Sequence, residues 1–195
     1  MLIAIDTLPI NNLSGRHVVS GHLANLARAL CGRHRFLVLH HSGNRDLRRD
    51  LGDQVEWLEV TAAGPDWMGR LLWQSVRLHG LLTRLGVGLV ISTSGALIPG
   101  VRLPQLVLAQ NPWCYFPQFH RTLADRVKAY LQRMGYRAAQ RRARGLFYLS
   151  EYVARRYRDD AGCAPTWGQV LYVGGDEATF DAARDRKGFA ERELE

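Results

Sequence analysis

The runs "VGLVIST" at residues 87–93 and "PQLVLAQN" at residues 104–111 decide the fold class of this chain. Both are almost entirely apolar, as strands buried on both faces of a parallel sheet should be. Further strands are predicted at residues 2–6, 35–41, 54–60, 145–150 and 169–173. Helical periodicity separates most of them. The sequence therefore predicts an α/β fold with a doubly wound, mostly parallel Rossmann-like sheet.

Four helices are predicted between these strands. The first follows a glycine-containing loop and has apolar residues near helical spacing, and the second begins at a possible N-cap, Asp66, and stops at Gly86. The third covers about residues 120–144, and the fourth runs from Ser150 to about Asp160. An apolar row marks the third helix: Val127, Leu131, Met134 and Ala138. For residues 44–52 two patterns stay open, a short helix that gives βαβαβα or no helix and βαββα.

Composition describes an ordinary globular chain of 195 residues, 47% hydrophobic and 23% charged, with a net charge of +8. The N-terminus "MLIAIDTLPI" lacks the features of a signal peptide, so a cytoplasmic location is expected. Three irregularly spaced cysteines (Cys31, Cys114 and Cys163) favour reduced thiols, and the histidines form no metal-ligand pattern, so no metal is expected.

The first candidate site is the loop after residues 2–6. Ser14 and Gly15 would bring backbone N–H groups near an anionic or hydroxyl-rich ligand at a helix start. A structural turn explains them equally well. Neither GxGxxG nor GxxxxGK[ST] occurs, which weakens the case for an ordinary dinucleotide or P-loop site.

The second candidate site follows the strand at 104–111. Gln110 and Asn111 offer amide donors and acceptors, and Trp113 offers a flat apolar face, a combination suited to sugars or polyprenyl-like groups. A packed loop pinned by Pro112 and Pro117 is the alternative.

Ser150 and Glu151 form the third candidate, where a buried strand ends beside the expected cleft. Helix capping by Ser150, with Glu151 in the first turn near the positive helix end, explains both residues equally well.

Arg126, Arg133, Arg137 and Arg144 are spaced seven, four and seven residues apart, on one side of the third helix and opposite its apolar row. This side is interpreted as a solvated face or as a contact with anionic lipid headgroups. No recognisable nucleic-acid module accompanies the charge, so nucleic acid is not an expected partner.

Three segments together resemble the N-terminal domain of retaining GT-B glycosyltransferases of glycosyltransferase family four. They are "SGRHVVSGHLANLARAL", "RARGLFYLSEYVARRY" and "VLYVGGDEATF". The most specific signal is the spacing of Gly174, Asp176 and Phe180, which matches the family's turn between its two domains.

The resemblance implies that residues 1–180 form a Rossmann-like acceptor-binding domain and that residues 181–195 begin an interdomain linker. The C-terminal donor-binding domain would lie outside this chain. The implied reaction is retaining transfer of a sugar from a nucleotide diphosphate sugar to an acceptor hydroxyl, without a further cofactor. The implied partners are the donor-binding domain, in the same longer chain or a separate subunit, and a sugar or lipid-linked acceptor. This chain alone should then be nearly inactive.

Two other classes stay open. One is a noncatalytic subunit or scaffold that keeps the fold and pairs with a separate donor-binding chain or a membrane enzyme. The other is a flavodoxin-like or other Rossmann-type protein that acts on a different phosphorylated ligand.

Overall fold

The computed structural model describes residues 1–11, 13–30, 32–51, 55–61 and 66–172. Seven parallel strands form one sheet in the order β3-β2-β1-β4-β5-β6-β7. The strands are β1 (Leu2–Asp6), β2 (Arg35–His40), β3 (Glu56–Glu59), β4 (Val87–Ser92), β5 (Gln105–Ala109), β6 (Gly145–Tyr148) and β7 (Gly168–Val170). The predicted doubly wound parallel sheet is confirmed.

The helices are α1 (Leu13–Ala29), α2 (Leu47–Leu51), α3 (Trp67–Trp73), α4 (His79–Arg84), α5 (Leu123–Arg142) and α6 (Glu151–Ala161). A π-helical turn, Gln74–Leu78, joins α3 to α4 without a break, and we call the whole of residues 67–84 the α3–α4 segment. Asp66 caps it as predicted, since its carboxylate accepts a hydrogen bond from the Gly69 N–H at 2.7 Å.

Short helix α2 settles the question that the sequence left open at residues 44–52. It lies between β2 and β3, which pair in parallel, so the βαβαβα pattern is the correct one. A parallel pair needs a crossover connection between its strands, and the chain from His41 to Val55 supplies it.

Helix α1 begins earlier than the sequence predicts. It starts at Leu13, so Ser14 and Gly15 belong to its first turn and not to the preceding loop. The apolar periodicity that predicted this helix begins only at Val19, so it did not reveal the first turn.

Helices cover the two faces of the sheet unequally. Ile5 shares a buried cluster with Val19 of α1, whereas its neighbour Ala4 points to the other face and clusters with Leu78. Adjacent strand residues face opposite sides, so α1 and the α3–α4 segment lie on opposite faces.

Helices α5 and α6 lie on the same face as the α3–α4 segment. Tyr136 of α5 and Tyr157 of α6 belong to a cluster with Val107 of β5. Val107 pairs with Ser92 of β4, and Ser92 faces the same side of the sheet as Val90, two residues earlier. Val90 clusters with Leu78 of the α3–α4 segment, so all three helices lie on one side. This three-helix side is called the groove face below, because a groove opens on it.

The connection from β4 to β5, residues 93–104, contains no helix, and we call it the helix-free crossover. Pro99, Gly100 and Pro104 interrupt any helical run in it. The Gln105 side chain holds this crossover in place: its Oε1 accepts from the Ile98 N–H at 2.9 Å, and its Nε2 donates to the carbonyl oxygens of Ile98 at 3.2 Å and Val101 at 3.1 Å.

Gly100 is the point where the helix-free crossover contacts the α3–α4 segment. Its φ is +76°, and a Cβ at this position would clash with the carbonyl oxygen of Ser75. We expect Gly100→Ala to lower the free energy of unfolding by about 2 kcal/mol or more, because it adds backbone strain to a collision with rigid backbone. Urea denaturation measures the change.

Gly80→Ala is the matched control. Gly80 lies in α4 with nothing within 4 Å of an added Cβ, so this variant should gain roughly 0.5–1 kcal/mol. Equal stability of the two variants would contradict the close approach at Gly100.

Candidate functional site at the carboxyl edge of the sheet

The carboxyl ends of β1 and β4 define the candidate site. These strands are neighbours, but the chain leaves β1 toward β2 and leaves β4 toward β5, in opposite directions across the sheet. Ligands of doubly wound sheets bind at such a switch point, in the crevice outside the strand ends. Here the crevice lies between the loops that begin at Thr7 and Thr93, with the start of α1 beside it.

Asp6, the last residue of β1, is fully buried at this switch point. Its Oδ1 accepts a hydrogen bond from the Leu8 N–H at 3.2 Å, and its Oδ2 accepts one from Gln74 Nε2 at 2.6 Å. Burial raises the pKa of Asp6 to about 7, although the Leu8 N–H, the charge of Arg70 and the Gln74 amide act in the opposite direction. The carboxyl group therefore changes charge near neutral pH.

Arg70 brings a guanidinium group to the same place. It lies in α3 and is 8% exposed. Burial lowers its pKa, while the nearby carboxylates of Asp6 and Asp66 raise it. An arginine with so little contact with water is a strong local source of positive potential.

His41 and Asn44 fix the loop after β1 against the end of β2. The Gly43 N–H donates to His41 Nδ1 at 2.9 Å, so the proton is on Nε2, which donates to Asn11 Oδ1 at 2.9 Å. Asn44 Nδ2 donates to the Thr7 carbonyl oxygen at 2.8 Å. Burial lowers the pKa of His41, helped by the charges of Arg70, His40 and Arg16, so the ring stays neutral as this network requires.

Gln110 and Asn111 connect the loops at the carboxyl edge through hydrogen bonds. Gln110 Nε2 donates to the Thr93 carbonyl oxygen at 2.8 Å and so ties the loop after β5 to the loop after β4. Asn111 Oδ1 accepts from the Trp113 N–H at 2.9 Å, and the Asn111 carbonyl oxygen accepts from the Tyr136 hydroxyl at 2.9 Å. The structure thus places both residues at the carboxyl edge, and these contacts form the packed loop that the sequence offered as an alternative.

Trp113 is half-buried in a short 3₁₀ turn. Its ring packs against His120 with centroids 4.5 Å apart, and Lys128 Nζ lies 5.3 Å from the ring centroid. The flat ring that the sequence suggested for a ligand therefore makes one cation–π contact and one aromatic contact within the chain.

Ser150 caps α6, and its Oγ accepts from the Val153 N–H at 3.3 Å. Glu151 is exposed in the first turn of the helix. Capping therefore accounts for the contacts of Ser150. The turn residues Gly174, Asp176 and Phe180, and the linker expected at 181–195, lie outside the described residues, as does Cys31. Cys114 and Cys163 are free thiols.

The four arginines of the third predicted helix do not share one environment. Arg133 and Arg137 both donate to the Asp160 carboxylate in α6, with Arg133 Nε at 3.0 Å and Arg137 Nε at 3.0 Å. Arg126 is exposed on α5, and Arg144 is exposed beyond its end, with its N–H donating to the Gln105 carbonyl oxygen. The opposite, apolar row is largely exposed as well: Val127 47%, Leu131 39% and Met134 49%.

A groove of about 860 Å³ lies between the α3–α4 segment, the helix-free crossover and α5. Pro9 and Ser94, which follow β1 and β4, line one end, so the groove reaches the switch point. Arg102 and Arg144, which lie near the starts of β5 and β6, line the other end.

Sequence reasoning missed Asp6, Arg70 and the groove. Asp6 ends an apolar strand, where a polar residue ordinarily marks the start of a loop, and Arg70 occurs within an amphipathic helix. The signal that would have found Asp6 is its position as the only charged residue of "LIAID", directly at the carboxyl end of a predicted strand. Among the described residues, no three His, Cys, Asp or Glu side chains come close enough together to bind a metal ion.

Comparison with models of protein families gave no match, and comparison with the sequences of curated proteins gave none. Among solved structures, sucrose-phosphate synthase from Thermosynechococcus elongatus is similar with a TM-score of 0.54 at 10% identity, over 100% of this chain and 99% of that one. UDP-GlcNAc 2-epimerase from Methanocaldococcus jannaschii has a TM-score of 0.54 at 11% identity, and the match covers 90% of this chain but 46% of the epimerase.

These similarities define the fold of the chain. It is a Rossmann-like α/β fold that resembles a GT-B domain. At such low identity the likeness extends to the fold and not to the individual side chains of the site.

Asp6→Asn tests the titration of the buried carboxyl group. The unfolded chain loses this proton near pH 3.8 and the folded chain near pH 7, so the stabilisation is complete below about pH 3.8 and is lost as the pH rises through about 7. Between about pH 5 and 7, the free energy of unfolding of the variant should rise relative to wild type by up to about 1.4 kcal/mol per pH unit. Chemical denaturation at several pH values measures both slopes.

His41 is present in both proteins, and its lowered pKa has the opposite sign, since it costs stability as the pH falls below about 6.5. Its contribution cancels in the comparison. Identical pH slopes of Asp6→Asn and wild type would contradict a raised pKa at Asp6.

Asp160→Asn tests the contact between α5 and α6. The Asp160 side chain is 5% exposed and faces two arginines, which hold its pKa below the usual range against the effect of burial. Loss of its charge should lower the free energy of unfolding by about 1–2 kcal/mol. Its exposed neighbour provides the control, because Asp159→Asn removes the same charge and should change stability by less than about 0.5 kcal/mol.

Proposed function

We propose that this chain is the N-terminal, acceptor-binding domain of a retaining GT-B glycosyltransferase. The observation that carries the proposal is the groove that meets the β1–β4 switch point in a fold of the GT-B type. Its floor and walls are fixed by Gln74, Gln105 and Gln110, whose amides bond to neighbouring loops and to Asp6. Walls that are already ordered favour acceptor binding, because no free energy is spent on ordering them when the acceptor binds.

The reaction would move a sugar from a nucleotide diphosphate sugar to an acceptor hydroxyl, with retention at the anomeric carbon. Its transition state has an oxocarbenium-like sugar and a departing diphosphate, so positive groups and helix-start N–H groups at the cleft favour it. In this chain the start of α1, with Ser14 and Gly15, and the Arg70 guanidinium lie beside the switch point. No cofactor besides the donor substrate is required.

A donor-binding domain completes the site in this proposal, either in a longer chain that contains these residues or in a separate subunit. Donor nucleotide and sugar would be bound mainly there. The 195-residue chain alone should therefore transfer little or no sugar, and the acceptor selectivity of the complete protein should depend on the groove described here.

The test uses the protein as its source cell makes it. Its intact mass shows whether 22.0 kDa is the whole molecule. The purified protein is then assayed for release of nucleotide diphosphate from a panel of UDP- and GDP-sugars, with and without sugar and lipid-linked acceptors.

Pro9→Trp in the same protein tests the site, because it fills the groove at its switch-point end. We expect kcat/KM for the acceptor to fall at least about tenfold, a loss of about 1.4 kcal/mol, with slow hydrolysis of the donor unchanged. Thr83→Trp, at an exposed position of α4, is the matched control and should leave both rates unchanged.

Two results would overturn the proposal. One is an unchanged kcat/KM for the acceptor in Pro9→Trp. The other is sugar transfer by the purified 195-residue chain alone, which would contradict the need for a separate donor-binding domain.

A further inference from the structure

The groove face carries apolar side chains that the fold does not bury. Helix α5 exposes Leu123 at 75%, Tyr130 at 62% and its apolar row. Across the groove, the α3–α4 segment exposes Met68 at 59%, Leu72 at 66% and Val76 at 66%. Two exposed apolar rows on one side of a small domain indicate a contact surface.

The same face is strongly basic. The α3–α4 segment has three arginines and no acidic residue, and α5 has six basic residues and one acidic residue, Asp125. No Asp or Glu is among the described residues that line the groove, whereas Arg102, Lys128, Arg141, Arg142 and Arg144 are. An occupant of this face must therefore be apolar in part and anionic in part.

We propose that the groove face is the surface by which this protein binds an anionic lipid bilayer. The exposed apolar rows would enter the boundary between headgroups and acyl chains, and the exposed arginines would contact anionic headgroups. A bilayer fits better than a folded partner, because the side chains protrude from two separate helices and a fluid surface needs no matching shape.

Arg133 and Arg137 do not belong to this surface, since they are bound to Asp160 between α5 and α6. We therefore assign the proposed membrane contact to the apolar side of α5 and to the arginines at the far end of the groove, and not to the arginine side of α5. Among the described residues no helix is long and apolar enough to cross a membrane, and the contact we propose is with the bilayer surface alone.

Cosedimentation with vesicles tests the proposal independently of sugar transfer. Phosphatidylcholine vesicles with about 30% phosphatidylglycerol should bind the protein, and pure phosphatidylcholine vesicles should bind it at least about tenfold more weakly. About 0.5 M salt should weaken the anionic binding, because the Debye length falls well below 10 Å.

Two double variants divide the surface into its charged and apolar parts. Arg141→Gln with Arg142→Gln should reduce the partition coefficient about 30-fold, at about 1 kcal/mol per arginine near the surface. Leu72→Gln with Val76→Gln should reduce it at least about 30-fold, because burial of each side chain contributes about 1–2 kcal/mol. All four side chains are exposed, and Arg141→Gln removes one hydrogen bond, from Arg141 Nη2 to the Ala161 carbonyl oxygen at 3.0 Å. Circular dichroism and urea denaturation check that each variant keeps the fold.

The matched control is Arg48→Gln with Arg49→Gln. These are also adjacent, exposed arginines, but they lie on α2, which contacts α1 and not the groove face. This variant has the same net charge as the Arg141–Arg142 variant and should bind anionic vesicles about as tightly as wild type does.

Three outcomes would overturn the proposal. The first is failure of the wild-type protein to bind anionic vesicles. The second is an equal loss of binding in the two arginine variants, which would mean that net charge alone attracts the protein. The third is a dimer in sedimentation velocity that Leu72→Gln with Val76→Gln abolishes, which would identify a second copy of the chain as the occupant.

Discussion

The three hydrogen bonds of the Gln105 amide hold the helix-free crossover between β4 and β5, and much else in the molecule depends on this connection. A helix in its place would fill the space between the α3–α4 segment and α5. Because the chain instead runs close to the sheet, with Ile98 and Val101 buried, the space above it stays open as the groove. One buried amide thus fixes a wall of the site and separates the two apolar rows.

Polar side chains at the carboxyl edge connect strands that are distant in sequence. Asp6 bonds to Gln74, the Thr93 hydroxyl donates to the Asp6 carbonyl oxygen at 2.7 Å, and Gln110 reaches the Thr93 carbonyl oxygen. These contacts join β1, β4, β5 and the α3–α4 segment at one point. The edge where a ligand would bind is therefore held by a network of hydrogen bonds as well as by the apolar core beneath it.

The sheet could be predicted from sequence because strands buried on both faces are nearly continuous apolar runs, as in β4 and β5. The five-residue helix α2 was undecided because one turn is too short to show a period. The apolar row at Val127, Leu131 and Met134 marked one side of α5 correctly, but periodicity does not say which side meets the sheet. Tyr136, Ala139 and Gln140 fill that role. Asp6 was missed because its partner Gln74 is 68 residues away.

The π-helical turn at Gln74–Leu78 sets how α3 is rotated relative to α4, and this rotation depends on one residue of the chain. A π turn holds one residue more than an α turn, so deletion of one residue there would restore a regular helix. Everything before the deletion would then rotate by about 100° relative to α4. Arg70 would leave the carboxyl edge while Leu78 and Leu82 kept their places in the core. A single-residue length change at this turn would thus move the charge of Arg70 out of the cleft.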